Sequence, residues 1–172
     1  YSERFTAERT EDGWIRNDSY DNEIINEKLL ANGYFEAATY RGENMHSELG
    51  KSTEALEYLK RVYAAGGDSS YEIGSIYTAL GDFDHSVEWR ENAYEAGNVN
   101  GAFDLGVTFQ WGTNCEVDCE KAFDWFMKAA EMGHAQATYN IGAYYYQGYY
   151  VEQDTAKANE WFQKAEDMGY TG

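Results

Sequence analysis

The sequence predicts an all-α fold, a solenoid of about four helix–turn–helix repeats behind a degenerate N-terminal helix. Three observations predict it. First, Leu105–His134 lies over Ile141–Tyr170 at a constant offset of 36 without a gap: Gly106 on Gly142, Gly112 on Gly148, Asp118 on Asp154, Trp125-Phe126 on Trp161-Phe162, Met132-Gly133 on Met168-Gly169. Self-similarity at such a period is the signature of a repeat array. Second, Gly33, Gly66, Gly97, Gly133 and Gly169 recur at spacings of 33, 31, 36 and 36. A glycine at these intervals reads as the left-handed residue that ends a helix. Third, there is no proline anywhere, so nothing interrupts a helix interior.

Residues 1–17 match no repeat and are expected to be irregular. Residues 18–33 form a degenerate half-repeat, "NEIINEKLLANGY", closed by Gly33. Repeat 1 covers 34–66, where Gly50, Ala55, Tyr58 and Gly66 precede Gly81, Ser86, Trp89 and Gly97 by 31. Repeat 2 covers 67–98. Its Trp89, Ala93 and Gly97 fall 36 before Trp125, Ala129 and Gly133, whereas Ile73-Gly74 falls only 32 before Leu105-Gly106. The same two helices are therefore joined by a loop four residues shorter. Repeats 3 and 4 cover 99–134 and 135–170, and the whole of 1–172 reads as a single repeat domain.

Inside a unit, Leu105, Phe109 and Gly112 recur at helical spacing, and Asp118 and Asp154 are good N-caps for the second helix. A mid-helix glycine such as Gly106 or Gly142 is unfavourable by about 1 kcal/mol against alanine. Its presence predicts a neighbouring helix packed closely there. Ala122 and Ala129 flank Trp125 and Phe126 on one face, small residues against large, which is how two helices interlock. Neither helix pair buries its apolar face alone, so the units must stack.

These residues resemble the Sel1-like repeat, a relative of the tetratricopeptide repeat. Its pattern is approximately L-G-x-x-Y-x-x-G-x-G-V-x-x-D-x-x-K-A-x-x-W-x-x-K-A-A-x-x-G. The last unit carries Ile141-Gly142, Tyr145, Gly148, Val151, Asp154, Lys157-Ala158, Trp161, Lys164-Ala165 and Gly169. The unit before it carries Leu105-Gly106, Phe109, Gly112, Val117, Asp118, Lys121-Ala122, Trp125, Lys128-Ala129-Ala130 and Gly133. The match is specific from about 99 to 170. Residues 67–98 look more like a tetratricopeptide unit, and 18–66 are degenerate. Tyr150 departs from the pattern, standing where the family has a loop glycine, so that turn is expected to differ.

The resemblance implies a right-handed α/α superhelix with no catalytic residues and no cofactor. It also implies a protein-binding adaptor: an assembly or regulatory protein of the envelope, or an immunity protein that neutralises a secreted antibacterial effector. By alignment with the tetratricopeptide fold, the first helix of each pair lines a concave groove. That places Tyr71 and Ser75 of repeat 2 on the binding face. Repeat 3 contributes Asn100, Phe103, Val107, Gln110 and Trp111, and repeat 4 contributes Gln136, Tyr139, Ala143, Tyr146 and Gln147. The groove is aromatic and polar, without Lys or Arg, which disfavours a basic clamp on a partner's C-terminal carboxylate. Of the six tyrosines in "YNIGAYYYQGYYVEQD", Tyr145 is expected in the core, Tyr144 at a repeat seam, Tyr149 and Tyr150 in the turn, and Tyr139 and Tyr146 in the groove.

Charge bounds the partner. The chain carries 31 Asp+Glu against 13 Lys+Arg, a formal net charge of −18, yet is 43% hydrophobic and 17% aromatic. That is too apolar for a disordered polymer. Its field repels phosphates and anionic membranes and attracts basic partners. Nucleic acid is therefore excluded, and no apolar run approaches the ~20 residues of a membrane span. Cys115 and Cys119, in "NCEVDCE", are spaced to close a small disulfide or to remain free thiols. The chain begins at Tyr1 rather than Met, which reads as removal of an upstream segment. Together these point to an exported, periplasmic protein, with the cytoplasm as the alternative. His46, His85 and His134 fall in different units without a metal-ligand spacing, which disfavours zinc. "NDSYDNE" lacks the spaced ligands of a calcium loop. Carboxylates beside aromatics leave a glycan-binding groove as a further reading, though a carboxylate in so acidic a chain is ordinarily a solvated face.

Overall fold

The computed structural model describes residues 9–10, 13–14, 23–47, 50–112 and 117–171. Near the N-terminus two strands of two residues each, β1 (Arg9–Thr10) and β2 (Gly13–Trp14), pair antiparallel. All other regular structure among the described residues is helical. The helices are α1 (Glu23–Ala31), α2 (Phe35–Ser47), α3 (Ser52–Ala64), α4 (Ser70–Leu80), α5 (Phe83–Glu95), α6 (Val99–Trp111), α7 (Cys119–Glu131), α8 (Ala135–Gln147) and α9 (Thr155–Asp167). The chain divides into two compact units, Tyr1–Gly67 with α1 to α3 and Asp68–Gly172 with α4 to α9. Within each unit every helix packs against the next in sequence, as in a helical solenoid.

The helix ends follow the sequence signals. Asp82, Asp118 and Asp154 accept from the backbone N–H three residues on and so cap α5, α7 and α9. The recurring glycines take positive φ, from 68° at Gly33 to 96° at Gly66. At Gly133 the end of α7 is a Schellman turn, with His134 N–H donating to Ala129 O at 3.0 Å and Gly133 N–H to Ala130 O at 3.0 Å. The longer loops of repeats 3 and 4 are tied back identically: Asp118 N–H donates to Phe109 O, and Asp154 N–H to Tyr145 O, both at 2.9 Å. Tyr150 does not change its turn. It adopts φ 62°, the glycine-like conformation, unfavourable by about 1 kcal/mol for a residue with a Cβ. Its hydroxyl donates to Glu120 Oε1 at 3.0 Å and its ring packs 5.8 Å from Phe123.

One contact repeats in every helix pair. The mid-helix glycine of the first helix receives a side chain from the second. A Cβ on Gly42 would lie 2.4 Å from Leu59, on Gly106 2.5 Å from Phe126, and on Gly142 2.6 Å from Phe162. Those distances are shorter than van der Waals contact, so the glycines are a packing requirement. In repeat 2 the notch at Gly74 holds Arg90, whose Cγ would lie 3.1 Å from such a Cβ. The small residues at the start of each second helix, Ala55, Ser86, Ala122 and Ala158, are buried and allow the close approach. Around these notches Leu105, Phe109, Trp125, Phe126, Ile141 and Tyr144 form one apolar cluster. Trp125 is buried against Tyr94 in an edge-on contact at 5.4 Å. Trp161 is half-buried, and the counterpart of Tyr94 beside it is Ala130.

Gly106→Ala or Gly142→Ala is expected to destabilise the protein by about 1–3 kcal/mol, as overpacking does. Intrinsic helix propensity alone would favour the alanine by about 1 kcal/mol. Urea unfolding distinguishes the two, since a variant as stable as the parent or more so shows that the pair separates freely.

Candidate functional site

The groove positions named from the sequence lie on α4, α6 and α8, all in the Asp68–Gly172 unit, and none of them is buried. Helical periodicity causes this. The opposite faces of these helices carry the buried Ile73, Gly74 and Tyr77, then Leu105, Gly106 and Phe109, then Ile141, Gly142 and Tyr144. Most of the groove positions stand one or two residues from these, and so point elsewhere. Asn100, Trp111, Gln136, Tyr146 and Gln147 are exposed, while Tyr71, Ser75, Phe103, Val107, Gln110, Tyr139 and Ala143 are half-buried.

The half-buried aromatics form a series at equivalent places, Tyr71, Phe103 and Tyr139, and each rests on a side chain from the neighbouring element. Phe103 stacks on His134, centroids 4.2 Å apart and planes 11° off parallel, and Phe126 tilts against it at 5.9 Å. Tyr139 packs at 4.8 Å on Phe162 and at 5.2 Å on Tyr170. Tyr71 lies 5.8 Å from the Arg90 guanidinium. These rings, named from the sequence as groove residues, are part of the repeat seams. Trp111 and Tyr146 are free of that duty, at 69% and 51% exposure.

Arg90 was not visible as a groove residue in the sequence. It comes from α5 but reaches groove side chains. It is buried, at 6% exposure, and its Nη1 bonds Asp104 Oδ2 on α6. Nη2 donates to Thr78 Oγ1 at 3.0 Å and Nε to Ser86 Oγ at 3.3 Å. Tyr71 OH also donates to Asp104 Oδ2, at 3.0 Å. Burial and then the Asp104 carboxylate raise the Tyr71 phenol above its ordinary pKa, so it stays protonated as a donor. The signal was present in the repeat register. Arg90 stands 36 residues before Phe126, which stands 36 before Phe162, so a charge occupies an aromatic core position.

The acidity is unevenly placed. Helices α4, α6 and α8 contain Glu72 and Asp104 as their only carboxylates and no Lys or Arg. Helix α5 exposes Asp84, Glu88, Glu91 and Glu95, and α7 and α9 carry three carboxylates each. The groove face is thus close to neutral within a strongly negative molecule.

Two further positions need placing. Cys119 is a half-buried free thiol opening α7. Cys115 lies outside the described residues, and so does its pairing. Tyr144 is 2% exposed at the α7–α8 seam, packed among Phe123, Phe126 and Tyr149. Among the described residues its hydroxyl has no hydrogen-bond partner, and burial raises its pKa. Among the described residues no group of three His, Cys, Asp or Glu is arranged to hold a metal ion.

The Sel1 repeat family model matches this chain at 99–134 and at 135–170. Those two segments are Sel1 repeats. No curated protein is similar to the chain by sequence at a significant level. Among solved structures, a Sel1 repeat protein from Oxalobacter formigenes superposes with a TM-score of 0.64 at 21% identity, over 87% of this chain and 71% of that one. The c5321 protein, a protective antigen of uropathogenic Escherichia coli with the same repeat fold, gives 0.65 at 24% identity over 90% of this chain. The chain spans 34% of c5321. MamA gives 0.55 at 20% identity, over 87% of this chain and 88% of its own. The likenesses show the helical-repeat fold. Sel1-repeat proteins are generally non-catalytic protein-interaction modules.

His134 makes the repeat 3–4 seam sensitive to pH. Its Nδ1 accepts from Ala137 N–H at 3.2 Å and caps α8, a task Asn98 performs for α6. Only neutral imidazole can accept there. Burial lowers the His134 pKa from its ordinary 6.5, and the opposing pull of Asp104 is the smaller effect. The stabilisation is present above about pH 6.5, where the unfolded imidazole is neutral. It is lost as pH falls through the lowered folded pKa. His134→Asn is expected to cap without titrating. Urea unfolding at pH 7.5 and 5.5 should show a larger acid loss in the parent, and parallel losses would rule out the role.

Proposed function

We propose that this protein binds a basic protein partner through the face shared by α4, α6 and α8, with no catalysis of its own. The supporting observation is the pair of exposed aromatics, Trp111 and Tyr146, on helices that carry exposed amides and no cation. Tyr and Trp make good anchors because they bring large area with few torsions to freeze. The carboxylates of α5, α7 and α9 supply the long-range field that draws in a positively charged partner, and the near-neutral groove makes the short-range contact. The sharpest form of this reading is an exported immunity protein that neutralises a secreted effector. An envelope or signalling adaptor uses the same face. No described helix is long and apolar enough to cross a membrane.

The amide-and-aromatic lining of α6 and α8 also suits a sugar, which is the second reading. Isothermal titration with peptidoglycan fragments separates it from the first, because a peptide groove gives no heat.

Trp111→Ala and Tyr146→Ala are each expected to weaken capture of the partner by about tenfold or more, as loss of an anchor does. Thermal melting should be unchanged, because neither ring is in the core. Association with the partner should slow as salt rises from about 0.05 to 0.5 M, since exposed charges are screened. Undiminished capture by both variants would place the contact elsewhere, and a salt-independent association rate would reduce the acidity to a solubility device.

A further inference from the structure

The Arg90–Asp104 pair is fixed on one side and open on the other. Both donors to the carboxylate, Arg90 Nη1 and Tyr71 OH, bond the same oxygen, Oδ2. No described hydrogen bond uses Oδ1, and the Asp104 side chain is 28% exposed. An ionised carboxylate accepts at both oxygens. One is occupied by groups that hold the side chain still, and the other has no described partner and is open to water or to a donor from another molecule.

Local charge decides what that group is. Arg90 neutralises one carboxylate. Glu72, next to Tyr71 on α4, adds a negative charge that acts on Tyr71. His134, the other titratable group that interacts with Asp104, is held neutral by burial. No Lys or Arg lies on α4, α6 or α8. The balance at the open oxygen is therefore negative, on a partly buried side chain where a charge-assisted bond is stronger than at a fully wet surface.

The next repeat carries neutral residues at both positions. Thirty-six residues on, the counterparts of Arg90 and Asp104 are Phe126 and Asn140. There the phenyl ring fills the notch at Gly106, as Arg90 fills the one at Gly74. The chain itself thus contains a neutral solution to the same packing problem.

We infer that Asp104 is the specificity residue of the groove, a fixed acceptor for one lysine or arginine side chain of the bound peptide segment. This rests on the reading of the groove as a peptide-binding face. Tyr71 and Arg90 act through Asp104 and are positioning residues. The segment carries one basic side chain at Asp104 and an apolar or aromatic side chain toward Phe103 and Trp111.

The test is selection of random peptides displayed on phage against the full chain, in parallel on three proteins. They are the parent, Arg90→Phe with Asp104→Asn, and Trp111→Ala with Tyr146→Ala. Asp104→Asn alone would strand a buried guanidinium, whereas the double change copies the Phe126 and Asn140 seam and should fold. The parent is expected to select peptides with Lys or Arg at one fixed distance from an apolar residue. The Phe and Asn variant should keep the apolar residue and lose the basic one. By fluorescence anisotropy, replacing that Lys or Arg with Ala should weaken binding about tenfold on the parent and not on the variant. Basic residues absent from the parent's peptides, or equally enriched on the variant, overturn the role of Asp104 and leave the groove standing. If no peptide is enriched, or if those selected ignore Trp111 and Tyr146, the groove reading falls and the inference with it.

Discussion

Everything in the structure depends on the notch that one glycine opens in the first helix of each pair. Gly42, Gly74, Gly106 and Gly142 each accept a side chain that a single Cβ would displace. The contact sets the distance between two helices and fixes which residues of the second helix face inward. Because the helical repeat is 3.6 residues, choosing the inward face also chooses the outward one. Once Gly106 and Leu105 are pinned to the core, Phe103, Val107 and Gln110 are turned partly toward solvent. The exposed face of these helices is a geometric consequence of the packing contact.

Fold and helix ends were legible because they rest on local, repeated chemistry. Glycines with positive φ end the helices, and Asp82, Asp118 and Asp154 begin them. These signals depend on a few neighbouring residues, so one chain is enough to read them. Tyr150 shows where such reading stops. The sequence marks it as a departure, yet the turn keeps the glycine conformation, held by the ring on Phe123 and the hydroxyl on Glu120. Whether a backbone yields to a residue or the residue to the backbone is a matter of tertiary contacts.

The candidate site was legible only in part, for the same reason. Periodicity assigns faces to a helix but does not say what crosses between helices. Arg90 sits on a second helix, outside the face considered, and enters the groove because its side chain is long and Gly74 leaves room. Phe103 and Tyr139 could not be divided between seam and surface, because they serve both. Charge was misleading in bulk. A net charge of −18 describes the molecule, but the helices that carry the groove hold two of its carboxylates and none of its Lys or Arg.

The buried ion pair is the point where stability and recognition part. Taking a guanidinium and a carboxylate out of water is expensive, and replacing such a pair with well-packed apolar residues is often neutral or stabilising. One repeat later Phe126 fills the notch, and Asn140 stands at the position of Asp104 in the register. Stability alone therefore gives no reason to keep Arg90 and Asp104. Asp104 is also only partly withdrawn from solvent, so part of the desolvation penalty is avoided and one oxygen stays reachable. A pair retained for packing would be expected to close around both oxygens. This one gives each nitrogen of the arginine a partner, through Ser86, Thr78 and Asp104, but only one oxygen of the carboxylate. The asymmetry leaves the second oxygen of Asp104 without a described partner on the same helix as Phe103 and Trp111, which is the observation behind the role inferred for it.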